Sequence, residues 1–170
     1  MTPARLPLTE LAGAPASLLA SVLALNEGVQ HLTSPLGPDR LAALIGWAEM
    51  AVAVPDGRGG ADAFLIGIPP GSAYDSPNYR WFAERLDRFA YIDRVVVAPR
   101  AQGRGLARAL YDAYAARVAA RGSAPLACEV NSHPPNPGSD AFHATLGFAE
   151  MGRGSPAPGK VVRYLVRPGD

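Results

Sequence analysis

The stretch Tyr91–Arg121, YIDRVVVAPRAQGRGLARALYDAYAARVAAR, constrains this chain more than any other. The β-branched run Val95-Val96-Val97 within Ile92–Ala98 favours an extended, buried strand, and Pro99 ends it. Gln102-Gly103-Arg104-Gly105-Leu106-Ala107 follows, and Leu110, Tyr114 and Val118 then recur at helical spacing. A junction of this kind suits an anion. Glycine lets the backbone approach a ligand, and the first N–H groups of a helix point outward with the positive end of its dipole behind them.

Three nucleotide-binding patterns share that logic. A P-loop needs Gly-Lys-Ser/Thr, but the chain's one lysine is Lys160. A Rossmann site needs G-x-G-x-x-G opening a repeated βαβ unit; here the third glycine is missing and one strand–turn–helix unit is evident. The third pattern is Q/R-x-x-G-x-G/A, which Gln102, Gly105 and Ala107 match after Val97-x-Pro99. The segment therefore resembles the acetyl-CoA signature of the GNAT superfamily of N-acetyltransferases. The alternative is a tight strand-to-helix turn with no ligand.

At 170 residues, 48% of them hydrophobic, the chain is expected to fold as one domain, 1–170, with a sizeable core. No apolar run is long enough for a bilayer, and the N-terminus lacks a basic-then-apolar signal, so a cytoplasmic protein without a membrane partner is expected. A single cysteine, Cys128, excludes an internal disulfide, and His31, His133 and His143 lack metal-ligand spacing, so no metal is expected. A net charge of +1 gives no electrostatic reason to expect nucleic acid.

Taken in order, Arg5–Thr9 reads as a short strand and Ser17–Gln30 as an amphipathic helix. Asp39 is a candidate N-cap for a helix over Arg40–Gly46. Met50–Val54 and Ala63–Ile68 read as a hairpin around Pro55–Gly60. Pro69–Asn78 reads as a loop and Tyr79–Phe89 as a helix. Pro125–Asn131 reads as a strand, Ser132–Ser139 as a proline-rich loop, and Asp140–Leu146 as a helix closed by Gly147. Phe148–Arg153 and Val161–Arg167 read as a closing hairpin. The run Asn136…Phe142-His143-x-x-Leu146-Gly147-Phe148 resembles a second signature of the same superfamily, N…[FY]-Y-x-x-x-G-F. The two together are far more specific than either alone.

The resemblance implies an α/β fold with a mixed, mostly antiparallel central sheet, flanking helices and splayed central strands. It also implies acetyl-CoA as co-substrate and transfer of its acetyl group to a small-molecule or peptide amine. The pantetheine arm would pair with main-chain groups of Val95, Val96 and Val97. The diphosphate would lie on Gln102, Gly103, Arg104, Gly105, Leu106, Ala107 and Arg108, with both arginines adding charge and Arg100 a weaker candidate. Asn136 would contact pantetheine. Tyr74, Asp75 and Trp81 would form the acceptor wall, although Trp81 also has the spacing of a core residue. A homodimer through the closing hairpin or a sheet edge is a further implication.

Acyl transfer needs a base for the ammonium, a donor for the developing oxyanion and a proton for the departing thiolate. Glu129 is the favoured base, because Glu-Val ahead of the asparagine loop resembles the ribosomal-protein acetyltransferase branch. Asp93, on one strand face with Tyr91, Val95 and Val97, is its rival. Either carboxylate could instead pair with an arginine. The family's usual tyrosine acid is replaced by His143, which could protonate the thiolate, touch the cofactor or only cap a backbone group. That replacement also leaves room for a CoA-binding sensor without catalysis. Cys128, beside Glu129, lacks a histidine at a telling spacing for acyl-cysteine chemistry.

Overall fold

A computed structural model describes residues 5–169. In chain order the elements are β1 (Thr9–Glu10), α1 (Ala16–Glu27), α2 (Pro38–Trp47), β2 (Met50–Pro55), β3 (Ala61–Ile68), α3 (Pro77–Ala83) and β4 (Ala90–Val97). A 3-10 turn at Pro99–Ala101 leads to α4 (Leu106–Ala120), β5 (Leu126–His133), α5 (Pro137–Thr145), β6 (Ala149–Ala157) and β7 (Lys160–Arg167). The strands form one seven-stranded sheet in the order β1-β2-β3-β4-β5-β7-β6. Pairing is antiparallel at β1/β2, β2/β3, β5/β7 and β6/β7. β4 and β5 run parallel, in register at Ala90↔Leu126 and Tyr91↔Ala127. A parallel pair needs a long crossover, and α4 supplies it.

The chain divides into two compact units, Met1–Gly67 with Arg94–Tyr114, and Ile68–Asp93 with Ala115–Asp170. In the first, α1 buries Leu18 and Val22 and ends at Glu27, three residues before the expected Gln30. Helix α2 is capped by Gly37 rather than by Asp39. Pro38 takes the first helical position, where a missing N–H costs nothing, and Asp39 sits in the first turn against the helix dipole. β3 is buried at every position. Gly67 is required there, since an added Cβ would lie 2.4 Å from the Tyr114 ring. Arg94 is also buried, and its guanidinium donates to Asn26 Oδ1 (3.0 Å), the Ser34 carbonyl (3.1 Å) and Ser34 Oγ (2.9 Å). A guanidinium does not shed its proton, so a buried one needs such partners.

In the second unit, α3 begins at Pro77 behind Ser76, whose hydroxyl accepts the Tyr79 N–H. It ends at Ala83, short of the expected Phe89, which is buried in the lead into β4 instead. β5 runs through His133, into the expected proline-rich loop. The first strand likewise differs, occupying Thr9–Glu10 rather than Arg5–Thr9. β6 and β7 join through Pro158-Gly159, where Gly159 takes φ +72°. Two glycines on β6 admit aromatic rings: a Cβ on Gly152 would meet Trp81 at 2.6 Å, and one on Gly154 would meet Tyr164 at 2.8 Å.

Candidate active site

The glycine turn of the first unit has the form an anion requires. Gly103 and Gly105 both adopt left-handed φ, +78° and +73°, and a Cβ at either would meet nothing within 4 Å. Glycine is therefore needed for conformation rather than for space. The Ala109 N–H donates to the Gly105 carbonyl (3.0 Å), which makes Gly105 the entry to α4. The N–H groups that follow have no acceptor within the helix. Gln102, Gly103, Arg104, Gly105 and Arg108 are exposed, Ala107 is half-buried, and Leu106 turns its side chain into the core. The Gln102 N–H is taken by the Pro99 carbonyl (3.4 Å), so the donors of this turn begin after it. Arg104 donates to Asp62 Oδ2 (2.8 Å) and Arg100 to Asp62 Oδ1 (3.2 Å); one carboxylate on β3 thus holds both arginines around the turn. On β4, Val96 is buried while Val95 and Val97 are half-buried on the opposite face.

The second unit carries a network of carboxylates and hydroxyls. Glu129 Oε2 accepts from the Tyr91 hydroxyl at 2.7 Å, and Oε1 accepts from Asn78 Nδ2 at 3.0 Å. Asn78 Oδ1 in turn accepts from the Tyr164 hydroxyl at 2.9 Å. The Tyr74 hydroxyl donates to Asp93, next but one to Tyr91 on the same strand. Burial, and secondarily Asp93, push the Glu129 carboxyl up to about 7, against the pull of Tyr91, Lys160 and Asn78. Burial raises the Tyr91 hydroxyl well above its ordinary value, with Glu129 adding to the effect, so Tyr91 stays a donor. Cys128 is buried too, and its thiol is raised well above the ordinary range, the reverse of what a nucleophilic thiolate needs.

The acetyltransferase (GNAT) family model matches residues 71–148. The protein carries a GNAT fold. Solved structures agree over nearly the whole chain. The ribosomal-protein-S18-alanine N-acetyltransferase of Escherichia coli aligns at TM-score 0.66 and 21% identity, covering 95% of this chain and 92% of that one. Chaetomium thermophilum Naa20, in complex with a bisubstrate analogue, aligns at 0.70 and 19%, covering 89% and 82%. A NatC complex bound to Gag peptide and CoA aligns at 0.74 and 15%, covering 96% and 98%. No curated protein matches by sequence.

Within this GNAT fold several expected site residues are engaged by their own neighbours. His143, at the position where a tyrosine is usual, is buried on α5 between the Phe142 and Phe148 rings, with each centroid 5.3 Å away. Its Nδ1 lies 2.7 Å from the Ser139 carbonyl. A carbonyl only accepts, so Nδ1 carries the proton and Nε2 of the neutral ring is an acceptor. Burial also lowers the His143 pKa, disfavouring the doubly protonated form. Asn136 caps α5, accepting the Ser139 N–H at 3.3 Å. Trp81 has both faces covered, stacked on Tyr164 at 4.1 Å with Arg85 4.1 Å above the other side. Asp75 is exposed, and its main-chain carbonyl accepts from Arg80.

Asn78, Tyr164 and the partnership of Tyr91 with Glu129 have no signal in the sequence. The one available cue is register: Tyr164 stands opposite Glu129 in the β5/β7 ladder, which becomes known only once the strands are paired.

Proposed function

We propose that this protein is an acetyl-CoA-dependent N-acetyltransferase that moves the acetyl group to a primary amine within a ternary complex, with Glu129 as general base. The observation that carries the reading is the state of Glu129, a carboxylate with a donor on each oxygen and a pKa raised to about 7. A base is most effective when its pKa lies near the working pH. The two α-helix-entry glycines and the following N–H groups would hold the diphosphate of the co-substrate, with Arg108 adding charge and Arg104 shared with Asp62.

In the transfer, the nitrogen–carbon bond forms and the carbon–sulfur bond breaks. The proton leaves nitrogen for Glu129 and passes from there to the thiolate. His143, with its Nδ1 proton directed to the Ser139 carbonyl, is not the proton donor in this reading. Asp93, held by Tyr74, adds negative field that keeps Glu129 basic; Tyr74 and Asp75 remain the acceptor-side residues. Peptide amines are the first acceptor class to test, since one structural neighbour acts on the alanine of ribosomal protein S18 and another is bound to Gag peptide. The same reading treats 1–170 as one catalytic domain, cytoplasmic, able to form a homodimer, and with neither nucleic acid nor membrane as partner. Among the described residues, no helix is long and apolar enough to cross a membrane.

The test is a thermal-shift panel of acyl-CoAs, followed by a library of peptide and small-molecule amines with the best donor. Stabilisation by acetyl-CoA together with acetylated product is the expected result. Tight binding with no transfer to any amine would favour the sensor suggested by the missing tyrosine.

A further inference from the structure

Asn78 is 9% exposed, just inside the start of α3, and both ends of its amide are committed. An ionised carboxylate only accepts hydrogen bonds, so the Glu129 side fixes Nδ2 toward it and Oδ1 toward Tyr164. The Tyr164 hydroxyl must then donate, and that ring is itself immobilised. It stacks on Trp81 with an interplanar angle of 13°, and it lies over Gly154, where a Cβ would come within 3.0 Å of the hydroxyl oxygen. A chain of contacts therefore runs from a bare glycine on β6, through a tyrosine on β7 and an asparagine on α3, to the carboxylate on β5.

We propose that Asn78, clamped by Tyr164, is a positioning residue for Glu129, fixing the plane of its carboxylate and stabilising the ionised form that accepts the proton. Tyr91 performs the matching task on Oε2, but its hydroxyl is anchored on β4, so the two donors hold the carboxylate from different elements. Among the described residues, Tyr91 and Asp93 from β4 and Lys160 from β7 act on Glu129, and Tyr164 from β7 and the neighbouring Cys128, on the other face of β5, feel its charge. Removing the Asn78 donor leaves burial and Asp93 less opposed. The consequence extends to Gly154, which touches neither Glu129 nor Asn78: a methyl group there displaces the tyrosine hydroxyl and loosens the amide it holds.

This inference deepens the proposed function and rests on Glu129 being the base, so its test avoids turnover. The full chain, labelled with carboxyl-13C glutamate, is titrated by NMR, with Glu129→Gln assigning the signal. Asn78→Leu is expected to raise the Glu129 midpoint by about one pH unit. Tyr164→Phe, which keeps the ring stack, and Gly154→Ala should shift it the same way by less. Calorimetry with acetyl-CoA should show unchanged affinity in all three. Midpoints equal to wild type in Tyr164→Phe and Gly154→Ala, both folded by near-UV circular dichroism, would overturn the proposal even if Asn78→Leu failed to fold. The base reading fails separately: shifted midpoints alongside a fully active Glu129→Gln would retain the positioning role and remove the catalytic one.

Discussion

The glycine turn at 102–108 and the Glu129 network are built by opposite means. In the turn, the geometry lies in the main chain: two left-handed glycines and a helix start present N–H groups, and the side chains matter little to that shape. In the network, the main chain only delivers side chains. Asn78, Tyr91, Glu129 and Tyr164 come from α3, β4, β5 and β7 and acquire their properties from one another. A backbone site is local in sequence and tolerant of its neighbours. A side-chain site is non-local, and a change in any member is felt at the others.

The largest expected effect separates the two regions. Glu129→Gln should lower kcat by about 10²–10⁴-fold, the range for loss of a general base, while calorimetry finds CoA affinity intact. Full turnover in that variant would transfer the role to Asp93. The converse substitution, Gly105→Ala, forces a Cβ into left-handed φ at a cost of about 1–2 kcal/mol. It is expected to weaken CoA binding by about tenfold, with the Glu129 titration unmoved; tight binding would detach the turn from the diphosphate.

Acidity gives a further contrast. Glu129 is raised from 4.5 to about 7, so the folded protein holds that proton more tightly than the unfolded chain. The stability it contributes is complete below about pH 4.5 and is lost as pH rises through about 7. Denaturant melts at pH 5 and pH 8 should show wild type losing up to about 3 kcal/mol relative to Glu129→Gln. Activity runs the other way, with kcat/KM rising through about pH 7 as the base ionises. A flat profile would break the link between the two. The smallest effect belongs to Asp62→Asn. Its arginine partners are more than half exposed, at 57% and 56% of their side chains. Losing these pairs should cost up to about 1 kcal/mol each in chemical melts and leave the acidic limb of kcat/KM in place.

Much of the fold was legible along the chain. Val95-Val96-Val97, the two glycines and the apolar period of α4 describe their strand–turn–helix with only end residues moved. Misreadings arose where two local signals competed. Asp39 reads as the cap, but Pro38 ahead of it takes the first helical position, which makes Gly37 the cap. Phe89 continues an apolar spacing from Trp81 and Phe82, yet it is buried by the approach to β4. In the site, sequence does not reveal that Tyr164 and Arg85 cover both faces of Trp81. Asn136 and His143 carry family positions, but their hydrogen bonds to Ser139 were invisible until α5 was placed.

By itself the sequence determined the backbone of the turn, because φ preference is a property of glycine wherever it stands. It also determined the family pattern and the presence of Glu129 and Asp93. Only the tertiary structure decided what those carboxylates are. A pKa is set by burial and by donors within hydrogen-bond reach, and the donors to Glu129 come from residues 78 and 91, with residue 164 behind one of them.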